Sequence, residues 1–193
     1  MSTGKLIYSL NVSLDGFAAT TDGGLAWATV DDELHAWFNE QTRSLAASLY
    51  GRRMYEVMAG YWPDGEDDPD ATDVEREFSR IWKPLPKFVF SSSLDRVDHH
   101  ARLVQGDVAD VLADVRRELE GTFDVSGPNL AGQFVRRGLV DEFHLLVHPV
   151  VLGAGTPFWP ELDTPLPLRL VQRQTFASGV ELRSYVPAGD SDD

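Results

Sequence analysis

The chain has 193 residues, 42% hydrophobic and 25% charged, which suits one domain with a well-buried core and is short for two. No apolar run approaches the roughly 18 residues of a membrane helix, and a formal charge of −14 disfavours nucleic acid and anionic membranes. The sequence has no cysteine, which excludes disulfides and thiolate metal sites and fits a reducing cytoplasm.

In chain order, the start MSTGKLIYSLNVS has one Lys and then alternates with polar residues, unlike a secretory signal. Its run KLIYSLNV reads as a strand, and Asp15-Gly16 in SLDGF as a turn. Leu34, Trp37, Phe38 and Leu45 fit one face of a helix that Asp31 can cap. In LYGRRMYEVM an apolar run stops at Gly51, and Arg52 and Arg53 open a short helix. The acidic stretch PDGEDDPDATDVERE reads as a solvated loop. Val74, Phe78, Ile81 and Trp82 then mark a second helical stripe.

KFVFSS is a buried strand that ends in three hydroxyls, Ser91, Ser92 and Ser93. Asp107 caps a third stripe of Val108, Val111, Leu112, Val115 and Leu119. TFDVS is a strand ending at a Ser-Gly-Pro turn, followed by a helix from Asn129 to Arg137 with Leu130, Phe134 and Val135 on one face. FHLLVHPVVL is a long strand with His144 and His148 on one side; no third ligand has metal-site spacing. GAGTPFWP reads as a turn that packs Phe158 and Trp159 at a core or dimer surface. LRLVQRQTF and VELRSYV flank Ala-Ser-Gly as a hairpin.

Strands that alternate with helices imply crossover units. The expected fold is α/β: a three-layer sandwich with a central mixed, mainly parallel sheet, helices on both faces and a C-terminal antiparallel hairpin. One domain covers residues 1–186, with an acidic tail at 187–193.

In such sheets ligands bind beyond the carboxyl ends of the strands, where three junctions carry suitable chemistry. Arg52 and Arg53 at a helix start can bind phosphate or form a solvated pair. Ser91 to Ser93 can bond a ribose or phosphate, or cap a turn. Gly127 lets a ligand come close, Pro128 suits a first helical turn, and the free amides of Asn129 and Leu130 can meet a pyrophosphate.

With these residues in place, the sequence resembles the dihydrofolate-reductase-like superfamily, in the branch related to the reductase domain of riboflavin biosynthesis. SLNVSLDGFAA, GRRMYEVMAGYW, KFVFSSSL, VSGPNLAGQFVRRGLVDE and PVVLGAGTPFW carry the resemblance in order from about residue 5 to residue 186. It implies a reductase that uses NADPH to transfer hydride to a small planar C=N or C=O substrate, the alternative being an idle nucleotide-binding sensor of the same fold. Gly51, Arg52, Arg53 and Met54 fall at the 2′-phosphate and pyrophosphate. Ser91, Ser92 and Ser93 fall at the adenine ribose, and Gly127, Pro128, Asn129 and Leu130 at the pyrophosphate. Ala18 falls at the nicotinamide, Asn11 and Trp27 on the substrate side.

Folate-reducing members usually have Thr where Met54 stands, so one hydroxyl contact is missing here. They also carry an acidic residue on the helix after the first loop. Aligning on Trp27 puts Asp32 there, and aligning on Trp37-Phe38 puts Leu34 there. Asp32 and Glu33 are therefore the catalytic candidates, against a plainer reading in which Asp31, Asp32 and Glu33 cap a helix. Related reductases often have a non-proline cis bond before the glycine matching Gly127; cis and trans both stay open here. The expected partners are a small-molecule substrate and a second copy of the chain, with no nucleic acid, membrane or metal.

Overall fold

The structure is a computed structural model that describes residues 4–189. Three residues of the opening stretch and four of the acidic tail lie outside the described residues.

Eight strands form the main sheet: β1 (Leu6–Ser13), β3 (Leu45–Gly51), β4 (Lys87–Phe90), β5 (Ala101–Val104), β6 (Thr122–Ser126), β7 (Glu142–His148), β9 (Leu168–Thr175) and β10 (Glu181–Pro187). Their order is β5-β4-β3-β6-β1-β7-β10-β9. The first six run parallel, and β10 joins β7 and β9 antiparallel. A two-stranded ribbon, β2 (Phe17–Ala19) with β8 (Thr156–Pro157), lies beside the end of β1. The helices are α1 (Asp32–Arg43), α2 (Arg52–Tyr61), α3 (Asp73–Trp82), α4 (Val108–Glu118) and α5 (Pro128–Arg136). The architecture is the three-layer α/β fold with a closing hairpin that the sequence implies.

Alternation along the strands divides the core. On one face Leu6, Tyr8, Val12, Leu49, Phe123 and Val125 pack against Val111, Leu112 and Val115 of α4 and Phe134 and Val135 of α5. Burial of this aliphatic and aromatic surface is the main stabilising term, at about 25 cal/mol per Å². On the other face α1 lays Leu34 on Leu146 and Leu182, while α2 lays Tyr55 on Tyr50 and Val89. α3 bridges the two: Asn39 Nδ2 of α1 donates to the Val74 carbonyl (2.9 Å), and Trp82 Nε1 donates to the Tyr50 hydroxyl (3.2 Å).

Folding alters or completes the sequence reading at several points. Leu45 lies in β3, because α1 ends at Arg43 and the chain turns directly into a strand. β5, β2 and β8 were not legible: ARLV is short, and the ribbon's pairing depends on residues far apart in sequence. Pro187 completes β10 and so belongs to the hairpin. The described residues contain no cis peptide bond, so the bond before Gly127 is trans and the turn is made by a Gly127 φ of 101°.

Candidate active site

Every α-helix begins with unbonded N–H groups. Three helices here satisfy theirs with a side-chain cap: Asp31 Oδ1 accepts from Leu34 N (2.9 Å), Thr72 forms a capping box with Glu75, and Asp107 Oδ1 accepts from Ala109 N (2.9 Å). α2 and α5 differ. Their N-caps are Gly51 and Gly127, and neither helix has a side-chain cap.

These two helices follow adjacent parallel strands in which Tyr50 lies opposite Ser126. A Cβ built on Gly51 would sit 3.5 Å from Leu130 Cβ, and one on Gly127 would sit 3.5 Å from Met54 Cβ. Each glycine therefore faces the first turn of the other helix. Two sets of free amides and two positive dipole ends converge on a spot lined by backbone, a geometry that favours anions.

The sequence-predicted residues distribute around it as follows. Arg52 and Arg53 are exposed on the first turn of α2; Arg52 pairs with Glu56 (3.1 Å), and Arg53 makes no ion pair among the described residues. Met54 packs against Gly127 and the apolar cluster behind it, so its free amide is what it offers a ligand. Pro128 opens α5 with no N–H to satisfy, Asn129 is exposed, and Leu130 turns inward at 6% exposure. The first α5 hydrogen bond runs from Ala131 N to Gly127 O (3.0 Å), which leaves the amides of Asn129 and Leu130 free.

Ser91 follows β4 on the same edge, since Phe90 lies opposite Gly51. Its hydroxyl accepts from Ser93 N (3.2 Å) and Leu94 N (3.0 Å), a turn cap, and Ser92 and Ser93 are the exposed hydroxyls. Ala18 is buried in β2, on the ribbon that flanks β1.

α1 packs over β7 and β10 and α2 over β3 and β4, and the face of β1 and β6 between them is less covered. On the covered face of β1, Leu6 and Tyr8 are fully buried, yet Ile7, Ser9 and Asn11 on the opposite face are only half-buried, although β1 is a central strand. Asp124 and Ser126 of β6 lie on the same face, Asp124 opposite Ile7. Asn11 Oδ1 meets His148 Nε2 at 2.9 Å, and the Trp27 ring stands edge-on to His148 with centroids 5.4 Å apart. Among the buried polar atoms without a protein partner, Ser9 Oγ, Asp124 Oδ1 and Ser184 Oγ lie on this face of the sheet, and Trp27 Nε1 belongs to the ring beside His148. Burial holds the His148 imidazole below its ordinary pKa, hence neutral, and pushes the Asp124 carboxyl up to about 6.

Asp32 is exposed at the start of α1, and the Glu33 carboxylate accepts from Ala177 N (2.8 Å) in the hairpin turn. Asp15 clamps a loop, accepting from Ser13 Oγ (2.7 Å), Leu152 N (3.1 Å) and Gly153 N (2.7 Å). Phe158 stacks on Tyr8 in the core (centroids 4.2 Å apart), and Trp159 is half-buried against Phe143. His99 and His100 lie in left-handed backbone (φ 60° and 58°) outside this site. His144 is tied to Glu142 (2.6 Å), and among the described residues no three potential metal ligands cluster.

The sequence reading did not single out Asp124 or the contact of His148 with Asn11. The pairing of Asn11 with a residue 137 positions away has no local signature. Asp124 had a faint one, a carboxylate inside the apolar alternation of TFDVS.

Comparison with known proteins agrees with this fold. The chain is 30% identical over 177 residues to Bacillus subtilis (strain 168) YyaP, covering 91% of each. In fold it is similar to dihydrofolate reductase from Enterococcus faecalis complexed with NADP(H), with TM-score 0.64, 16% identity, and coverage of 97% of this chain and 98% of that one. It is also similar to the Thermotoga maritima diaminohydroxyphosphoribosylaminopyrimidine deaminase/5-amino-6-(5-phosphoribosylamino)uracil reductase, with TM-score 0.67 and 16% identity, over 96% of this chain and 57% of that one. The model of the RibD C-terminal domain matches residues 4–182, so the chain belongs to the RibD C-terminal domain family.

Proposed function

We propose that the protein is an NADPH-dependent reductase acting on a small planar substrate in a cleft between α1 and α2. The observation that carries this reading is the facing pair of glycine-capped, side-chain-free helix starts at Gly51 and Gly127. Their amides fit a pyrophosphate, and the donor set contains no competing carboxylate. Arg52 and Arg53 stand where a 2′-phosphate would gain charge-assisted hydrogen bonds. Ser92 and Ser93 would serve the adjoining ribose. Ala18 and the end of β1 would seat the nicotinamide over the cleft.

When bound, the reduced nicotinamide supplies a hydride. The chain's own contribution is to hold the reacting faces together and to exclude water. α1 and Trp27 wall the cleft, and the polar floor of Ser9, Asn11 and Ser126 orients what enters. With Asp32 exposed and Glu33 engaged by Ala177 N, water supplies the proton in this reading.

Calorimetric titration with NADPH and NADH tests the proposal. NADPH should bind more tightly, each lost charge-assisted bond being worth about 1.5–3 kcal/mol, and replacing Arg52 and Arg53 by Ala should remove most of the preference. Equal affinity for the two cofactors in the parent protein would overturn the assignment.

A further inference from the structure

We propose that Asn11 and Trp27 form a two-donor site for a carbonyl oxygen, with His148 fixing the amide of Asn11, so that the substrate class is a planar ketone, aldehyde or cyclic amide. This deepens the reductase reading and rests on it only for which end of the cleft the reacting atom occupies.

The argument begins with hydrogen-bond inventory. His148 is buried and neutral, and its Nε2 faces Asn11 Oδ1 at 2.9 Å. The acceptor is therefore the amide oxygen, and Nε2–H is the donor. That contact fixes the amide plane and turns Nδ2–H₂ away from His148. Among the described residues no acceptor meets Asn11 Nδ2, and Asn11 lies on the half-open face of β1. Trp27 Nε1–H is buried and also without an acceptor. The buried Trp27 donor left unmet is costly, whereas Asn11 Nδ2 lies on a half-open face; both residues adjoin the His148 ring.

Nearby carboxylates do not compensate. Asp31 is occupied as the α1 cap, Glu33 by Ala177 N, and Asp32 is exposed. Asp124 lies beside Ile7, four residues back along β1 from Asn11, about 13 Å at the rise of a strand. The site thus offers donors and lacks the anionic acceptor that an amidine or protonated imine needs. A carbonyl oxygen fits, and charge developing on it during reduction would meet the same two N–H groups. Reduction adds the hydride of the proposed cofactor to the carbonyl carbon. The π pair moves onto oxygen, and a proton from water completes the alcohol.

Two probes with the same ring separate the alternatives. Acetophenone presents a carbonyl acceptor; benzamidine presents N–H donors and a positive charge. Both are titrated into the ¹⁵N-labelled full chain, with and without NADP⁺, while the Asn11 side-chain and Trp27 indole N–H resonances are followed. Acetophenone should shift both signals and bind at least about tenfold more tightly than benzamidine. Asn11→Asp should reverse that order. Asn11→Leu, which adds no charge, should abolish the preference and provides the check if Asn11→Asp does not fold. His148→Gln can still donate to Oδ1 and should keep the preference, whereas His148→Phe should lose it. Equal binding of the probes to the parent, or an unchanged order in both Asn11 variants, overturns the proposal. Failure of NADP⁺ to bind would instead remove the cofactor reading, because the probe order is also measured on the protein alone.

Discussion

Asp124→Asn is the perturbation whose magnitude can be worked from the structure. Asp124 sits on β6 beside Ile7 of β1 and Ser48 of β3. Its Oδ2 accepts from Ser126 Oγ at 2.8 Å. Burial pushes its pKa up to about 6; the hydroxyls of Ser48 and Ser126 pull the other way and offset only part. The folded-state value lies above the unfolded value of about 3.9, so the folded protein holds this proton more tightly. The resulting stability is present below about pH 4 and is lost as pH rises through about 6. A rise from 3.8 to about 6 corresponds to about 3 kcal/mol at full burial. Asp124 is half-buried, so screening reduces this to about 1–3 kcal/mol. Asparagine keeps the shape without the charge. Urea unfolding of parent and variant at about pH 4.5 and pH 8 should show the variant gaining about 1–3 kcal/mol on the parent at the higher pH. A difference between them that does not change with pH would refute the buried-charge reasoning.

Gly127→Val should weaken NADPH binding at least about tenfold, roughly 1.4 kcal/mol. The new Cβ meets Met54 Cβ only at 3.5 Å, so the fold should survive while a φ of 101° costs about 1–3 kcal/mol of stability; unchanged affinity in a folded variant would remove the cradle. Gly155→Ala should lower stability by about 1–3 kcal/mol, because its Cβ would lie 2.0 Å from the Ala19 carbonyl oxygen and force the β2–β8 ribbon apart. An unaltered melting temperature would show that the ribbon moves freely. Dihydrofolate should not be turned over at a typical enzyme rate, on the order of 10 s⁻¹, since Glu33 is engaged by the hairpin and Asp32 is exposed; stopped-flow absorbance with NADPH checks this.

Much of the fold was legible because it is written in local periodicity. The apolar stripes of α3 and α4, the caps at Asp31 and Asp107, and the Ala-Ser-Gly hairpin each depend on neighbours within a few residues. Gly51 and Gly127 could be singled out one at a time as glycines at strand-to-helix turns. That they face each other could not, because this depends on β3 pairing with β6 and on Tyr50 lying opposite Ser126. The catalytic carboxylate was sought on α1 because the family resemblance implies an acidic residue on the helix after the first loop. Folding assigns the first of them to the cap, exposes the second and ties the third to the hairpin. The cleft chemistry came from residues that only sheet register brings together: Asn11 with His148, and Asp124 with Ser48. Propensity and capping act over one or two turns of chain, so sequence carries them directly. Which polar atoms are left buried without partners depends on the whole set of long-range contacts, and only the folded chain decides it.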